Sequence, residues 1–271
     1  MSVARVVNEP DTRTRIHLSV VSHGQLPLVL RLLDTVARHV RSYGVEVTLT
    51  LNVPETSESE LPALRFPVRI VRNAEPKGFG ANHNQAFRSR RSERPLEFFC
   101  VLNPDIEFLG DPFETLVPLF DADRKLGAAA PMVVNDLGAA EDSARTLPTP
   151  RGILEKALLG KRGTYESVSS SVFQPDWIAG MFMLLRREVF EQAGGFDERY
   201  FLYYEDVDLC CRLRLLGYGC AVDKRVSILH RAQRATRHSL KHFRWHLASM
   251  LRFFTSDAYG RCRQLARQAR H

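Results

Sequence analysis

The run Phe98-Phe-Cys-Val-Leu102 limits the fold more than any other stretch, because five consecutive apolar residues stop abruptly at Asn103-Pro104-Asp105. A strand without polar alternation has to be covered on both faces, as strands of a parallel sheet are. The flanking pattern agrees. Ile16–Val21 is another short β-rich run, ended by Ser22-His23-Gly24. Leu26 to Tyr43 carries Leu28, Leu32, Leu33, Val36 and Val40 at helical spacing, with Gly44 as a stop. Val45–Val53 and Val68–Val71 read as strands and Ala81–Arg91 as a helix. Strands separated by helices predict an α/β fold, a mostly parallel central sheet with helices on both faces. Ligands of such sheets bind at the carboxyl ends of strands, where Ser22, Asn73 and Asn103–Asp105 fall.

Further along, Asn135–Gln174 is rich in Gly, Ser, Pro and Thr, and predicts a surface loop with one short helix (Gly152–Leu159), a candidate lid. Met181–Leu185 then reads as a strand, Arg187–Ala193 as a helix, Gly194-Gly195 as a turn and Leu202–Leu216 as a helix. Gly219–Asp223 and Val226–Leu229 read as strands. From Ser239 to Phe254 the helical signal is strong: Leu240, Phe243, Leu247, Met250, Leu251 and Phe254 share one arc, with Lys241, Trp245 and Arg252 opposite. The apolar arc is expected to pack on the domain. His238, His242 and His246 form a row that no Cys or carboxylate completes as a zinc site, so a solvated or phosphate-facing surface is expected.

Composition excludes several classes. With 271 residues, 44% hydrophobic and 25% charged, the chain is an ordinary globular one. No apolar run approaches the ~18–20 residues of a membrane span. The first residues lack the apolar core of a secretory signal, and five cysteines without CxxC spacing fit a reduced, cytosolic protein. Charge is uneven. Residues 1–223 hold 26 Lys/Arg and 30 Asp/Glu (net −4), whereas 224–271 hold 12 against Asp257 alone (net +11). Such a tail suits a phospholipid surface or phosphorylated substrate, or is simply a solvated helix face. Nucleic acid is not expected, since only Trp245 stands outside the apolar arc.

Three constellations carry chemistry. Asn103-Pro104-Asp105 puts a carboxylate just past a buried strand, where it can hold a hard divalent cation or simply make a turn. Glu205-Asp206-Val207-Asp208 crowds three carboxylates beside Phe201, Tyr203 and Tyr204, which raises carboxylate pKa values and makes a general base; acidic capping of a helix is the other reading. The loop Pro76-Lys77-Gly78-Phe79-Gly80-Ala81-Asn82-His83-Asn84 offers glycines, a cation and a helix start to an anion. His230, past a strand, is either a metal ligand or structural, and Cys210–Cys211 suits core packing.

Taken in order, these motifs, with Gly180-Met-Phe-Met-Leu-Leu-Arg186, Gly194-Gly-Phe-Asp-Glu198 and Phe201-Leu-Tyr-Tyr-Glu-Asp-Val-Asp-Leu209, resemble the family 2 inverting glycosyltransferases of the GT-A fold. Within them the chain is most similar to bacterial rhamnosyltransferases that build O-antigens and other surface polysaccharides. The resemblance spans about residues 15–255. It implies Asp206 as the base, with Glu205 beside it and Asp208 and Arg212 as support. Asp105 and His230 would hold Mg²⁺ or Mn²⁺. Ser22, Asn52, Asn73, Lys77, Gly78, Asn84, Asn103 and Gly180 would line the nucleotide-sugar site. Two departures stand out. The family's Ser-Tyr-Asn is Ser22-His23-Gly24 here, and its Asp-Asn-x-Ser is replaced by a stretch in which Asn52 is the nearest candidate for the base.

The implied organisation is a flexible N-terminus (1–14), a catalytic domain (15–230, with nucleotide half 15–130 and acceptor half 131–230) and a basic helical extension (231–271). The implied donor is dTDP-rhamnose, with a UDP-hexose as the alternative. The implied acceptor is a glycan or lipid-diphosphate-linked glycan on the cytoplasmic face of the inner membrane, with peripheral attachment. A non-catalytic sugar-nucleotide or nucleic-acid binding module is the other class left open.

Overall fold

A computed structural model describes residues 15–55, 63–89, 96–159, 169–231 and 240–268; the expected flexible N-terminus and His238 lie outside them. In chain order the elements are β1 (Arg15–Ser22), α1 (Leu26–His39), β2 (Gly44–Leu51), β3 (Val68–Arg72), α2 (Phe79–Arg88), β4 (Phe98–Leu102) and β5 (Ile106–Phe108). Then come α3 (Phe113–Ala122), β6 (Leu126–Val134), β7 (Ala144–Arg145), α4 (Pro150–Leu159), β8 (Val172–Phe173), β9 (Trp177–Ile178) and β10 (Phe182–Arg186). The rest is α5 (Arg187–Gln192), α6 (Glu205–Leu215), β11 (Gly219–His230), α7 (Leu240–Phe254) and α8 (Asp257–Gln268).

One nine-stranded sheet runs in the order β3-β2-β1-β4-β10-β6-β11-β5, with β8 on β11, and β7 pairs β9 apart from it. Strands β3, β2, β1 and β4 are mutually parallel, as the apolar runs predict. Phe98 to Leu102 is buried throughout, covered by Phe87, Phe120 and Phe190 at ring centroid distances of 4.8–5.2 Å. The second half is more mixed than expected. Strand β10 lies antiparallel between β4 and β6, and β5 pairs antiparallel with β11. Nothing in an apolar run encodes strand direction, so the antiparallel placement of β10 and β5 was not visible in the apolar pattern.

Other differences are local. Gly44 opens β2 instead of ending the preceding helix, and the two expected strands 219–223 and 226–229 are one strand, β11, with a register shift between Asp223 and Ser227. Asp223, fully buried there, holds Arg225 across that shift at 2.7 Å. Among the described residues of 135–174, α4 stands where the short helix was expected, and the two-residue strands β7 and β8 were not expected.

Candidate active site

Where the nucleotide-sugar was expected, the polar ends of β1, β2 and β3 meet the loop before α2. Ser22 is buried; its hydroxyl donates to Glu55 and accepts from the Gln25 amide at 3.0 Å. Asn52 is also buried. Its Oδ1 accepts from Asn73 Nδ2 and Lys77 N, both at 2.8 Å, while its Nδ2 donates to the Lys77 carbonyl at 2.9 Å and lies 3.1 Å from His23 Nδ1. Asn73 Nδ2 further donates to Asn82 at 2.7 Å, leaving Asn73 Oδ1 buried without a partner. This amide lattice fixes the loop's shape, since buried polar groups need partners.

The loop's glycines serve a different purpose from the one expected. A Cβ at Gly78 would lie 2.6 Å from the Phe201 carbonyl oxygen, and one at Gly80 2.6 Å from Phe196 Cβ. Both positions therefore let the loop close on its own chain, and Phe79 N donates to Phe201 O at 2.8 Å. Lys77 is exposed and its ammonium donates to Gln85. His83 is no cation for a phosphate: burial pushes its pKa down to about 3, and it sits between Ser19 and the Phe79 ring. Asn84, expected beside a diphosphate, is buried with its amide committed to its own chain. Its amide accepts from Phe196 N at 2.9 Å and donates to Phe196 O and Glu198 at 2.8 and 3.0 Å. It pins the turn after Gly195, which has φ +69° and leaves no room for a Cβ against Asn84.

The acidic stretch separates into three fates. Helix α6 begins after two consecutive non-glycine residues in the left-handed region, Tyr203 (φ 72°) and Tyr204 (φ 68°). Each such residue costs roughly 1–3 kcal/mol and persists only where its surroundings dictate it. Helix α7 does so: His246 packs on both tyrosine rings, Phe253 on Tyr204, Trp245 stacks on Phe201 at 4.5 Å, and Ser249 Oγ donates to Leu202 O at 2.8 Å. The turn delivers Asp206 into a cavity of about 680 Å³ lined also by Arg145, Trp177, Tyr204 and His246. Gly180 N and Val207 N donate to its two oxygens at 3.1 and 2.8 Å. Burial raises its pKa despite those bonds and the charge of Arg145. Glu205 is buried with Oε2 unpartnered, and burial, then the Asp206 charge, pushes it well above the usual carboxylate range. Asp208 turns away to accept Arg212 Nε at 2.8 Å, and Arg212 holds the Gly195 carbonyl at 2.6 Å.

The third group forms where β5 pairs with β11, setting His230 opposite Ile106 and so beside Asp105. Asp105 Oδ2 lies 3.3 Å from His230 Nε2, and Glu141 Oε2 lies 2.5 Å from His230 Nδ1. Burial alone would lower the His230 pKa; the Asp105 and Glu141 carboxylates outweigh it and raise it. Asp105 Oδ1 is buried without a partner. No group of three or more His, Cys, Asp or Glu stands ready for a metal among the described residues. The donor set nevertheless fits a divalent ion that takes its remaining ligands from a substrate: one carboxylate with an orphaned oxygen, and one imidazole oriented from behind by a carboxylate. Glu141 and Glu55, single carboxylates in loops, and Arg145 and Trp177, in the two-residue strands β7 and β9, escape a sequence reading. The two chemical groups are neighbours along the chain's contacts, because Gly180 and Met181 bond Asp206 and the Asn103 amide respectively, and Glu141 bonds His230 while the adjacent Asp142 lines the Asp206 cavity.

Comparison with other proteins supports one reading of these groups. Residues 20–194 match the family model described as glycosyl transferase family 2. The rhamnosyltransferase WbbL of Escherichia coli K12 is 33% identical over 65% of this chain and 69% of its own length. An N-acetylglucosaminyl-diphospho-decaprenol L-rhamnosyltransferase of Mycobacterium tuberculosis is 32% identical over 71% of this chain and 68% of its own. Among solved structures, GalNAc-T7 with UDP, GalNAc and Mn²⁺ matches at TM-score 0.61 and 15% identity, over 83% of this chain, which spans 44% of that one. A mannosyltransferase of Pyrobaculum calidifontis with GDP-Man and Mn²⁺ matches at TM-score 0.57 and 18% identity, over 91% of this chain and 67% of that one. The last two share the fold.

Proposed function

The chain belongs to glycosyl transferase family 2, and from that premise we propose that it transfers L-rhamnose from dTDP-rhamnose, with inversion, to a hydroxyl of a lipid-diphosphate-linked glycan. The carrying observation is the pair of rhamnosyltransferase relatives, together with one half-buried carboxylate set apart from an Asp–His pair.

Inversion is a single displacement that needs a base on the attacking side and positive charge on the leaving side. Asp206 is that base. The amides of Gly180 and Val207 orient its carboxylate, and burial keeps its basicity above that of a surface aspartate. Asp105 and His230 would hold Mg²⁺ or Mn²⁺, with Glu141 fixing the imidazole. The ion, when bound, neutralises the developing charge of the departing diphosphate. Asn73 Oδ1, buried and unpartnered, suits the ring N–H of a pyrimidine base; Asn52 and Ser22 shape the surrounding wall. The chamber lined by Arg145, Trp177 and Tyr204 takes the acceptor. No glycosidase-like second carboxylate is needed, which is consistent with Glu205 and Asp208 serving structure.

Titration calorimetry with dTDP-rhamnose, UDP-glucose, UDP-galactose and UDP-N-acetylglucosamine, each with and without Mn²⁺, tests this. Binding confined to dTDP-rhamnose and requiring the metal is the expected result. A preference for a UDP-sugar would overturn the donor and leave the family intact; equal binding without metal would overturn the role of Asp105 and His230.

A further inference from the structure

Helix α7 meets the rest of the protein through rings and Ser249, and that choice leaves its leucines outside. Leu240, Phe243, Leu247 and Leu251 are 83%, 65%, 41% and 57% exposed. At 100° per residue they form one arc on the side away from Ser249 and Phe253, the buried positions of this helix. The expectation that the apolar arc packs inward holds only for its half-buried Met250 and Phe254, the latter on Tyr204 and Tyr259, and the histidine row does not simply face solvent or phosphate: His242 and His246 rest on Tyr203 and Tyr204. A contiguous exposed apolar stripe marks an interaction surface.

The charge of the two terminal helices says which kind. Arg244 borders the arc beside Leu251, and Lys241 lies about 80° round from it, both exposed. Across α7 and α8, Lys241, Arg244, Arg252, Arg261, Arg263 and Arg267 face a single acid, Asp257, for a net 6 − 1 = +5. Two copies joined through this stripe would bring like charges together, which disfavours association. An apolar stripe bordered by Arg244 on a helix pair of net positive charge matches an anionic lipid surface, where side chains enter the acyl boundary and cations meet headgroup phosphates. No described helix is long and apolar enough to cross a membrane; fifteen residues lying flat cover about 22 Å of surface.

We propose that α7 docks the protein on anionic membranes through Leu240, Phe243, Leu247 and Leu251. Its other side carries His246 into the wall of the Asp206 cavity, so the docked helix stands between lipid and cavity. A lipid-linked acceptor would then meet the cavity at the surface that carries it. That consequence rests on the proposed acceptor; the docking itself does not.

Co-sedimentation of the full chain with vesicles of phosphatidylcholine, alone or mixed with phosphatidylglycerol, reads the proposal directly. Binding to the mixed vesicles, weakening with salt, is expected. The variant Phe243→Ser/Leu247→Ser should bind them at least about tenfold more weakly, with its unfolding temperature kept because both side chains are exposed. Lys241→Glu/Arg244→Glu, which leaves the apolar stripe intact, should lose binding as well. Wild-type protein that ignores anionic vesicles at low salt overturns docking, as does undiminished binding by both variants. A dimer in analytical ultracentrifugation that Phe243→Ser/Leu247→Ser dissociates, with vesicle binding unchanged, assigns the stripe to a second copy and also overturns it. Donor titration on the same samples separates failure of docking from failure of the transferase assignment.

Discussion

The loop before α2 and the start of α6 look equally ligand-directed as sequence, and the structure treats them oppositely. In the loop, glycines close on Phe201 and Phe196, and Asn52, Asn82 and Asn84 have their amides taken up by neighbouring backbone and side chains. At α6, Glu205 Oε2 is left without a partner, Asp206 faces an open cavity, and past the end of β4 Asp105 Oδ1 is also unpartnered. A residue type suited to binding becomes a binding residue only where its hydrogen-bonding capacity is left uncommitted by the fold. A buried polar group without a partner is costly, so Asp105 Oδ1 points to a ligand; Glu205 meets the same cost by a raised pKa that keeps its carboxyl protonated, and a saturated amide points to architecture.

The contrast is sharpest at Asp206. Asp206→Asn keeps the shape and removes the base, so turnover should drop by about 10²–10⁴ while donor affinity in calorimetry stays within about twofold. In the wild type, rate should fall as pH drops through a midpoint above the ~3.9 of an ordinary aspartate, because only the ionised carboxylate accepts a proton and burial raises its pKa. A pH-rate profile of the wild type checks the sign.

On the loop side the effects should be structural. Gly78→Ala places a methyl against the Phe201 backbone and should cost about 3 kcal/mol in denaturant unfolding. Asn84→Ala leaves the Phe196 amide unsatisfied and should cost about 2 kcal/mol, with the donor KM changed less than threefold or so once the protein is folded; a large KM rise in a stable variant would place Asn84 back at the diphosphate. Glu205→Gln should be mildest. With the Glu205 pKa raised, its contribution to stability is full below the ~4.3 of an unfolded glutamate and is lost as pH rises through its folded value. The variant should therefore gain stability relative to wild type as pH rises, at nearly unchanged turnover, which thermal unfolding at several pH values reads.

The parallel half of the sheet was legible because an unbroken apolar run such as Phe98–Leu102 has one physical solution. Strand direction in the second half was not, since periodicity carries none. Asp105 and Asp206 stood out as carboxylates at the end of a buried strand and beside tyrosines, yet a turn and a helix cap fitted them as well, and only the order of motifs shared with family 2 singled them out. Glu141 was not, since its partner His230 is eighty-nine positions away. For α7, periodicity showed which residues share a face and not which face packs: Trp245, His242, His246 and Phe253 hold the helix through rings, while hydropathy favours its leucines.

The seam between Gly78 and Phe201 also sets a schedule for making the protein. Strands β1 to β4 can pair as soon as they leave the ribosome, yet the loop at 77–84 lacks its walls until Phe196 and Phe201 follow, more than a hundred residues later. At ~5–20 residues per second that delay is on the order of 10 s. The loop before α2 is thus among the last features of the nascent chain to be completed, although its residues are synthesised in the first third of the chain.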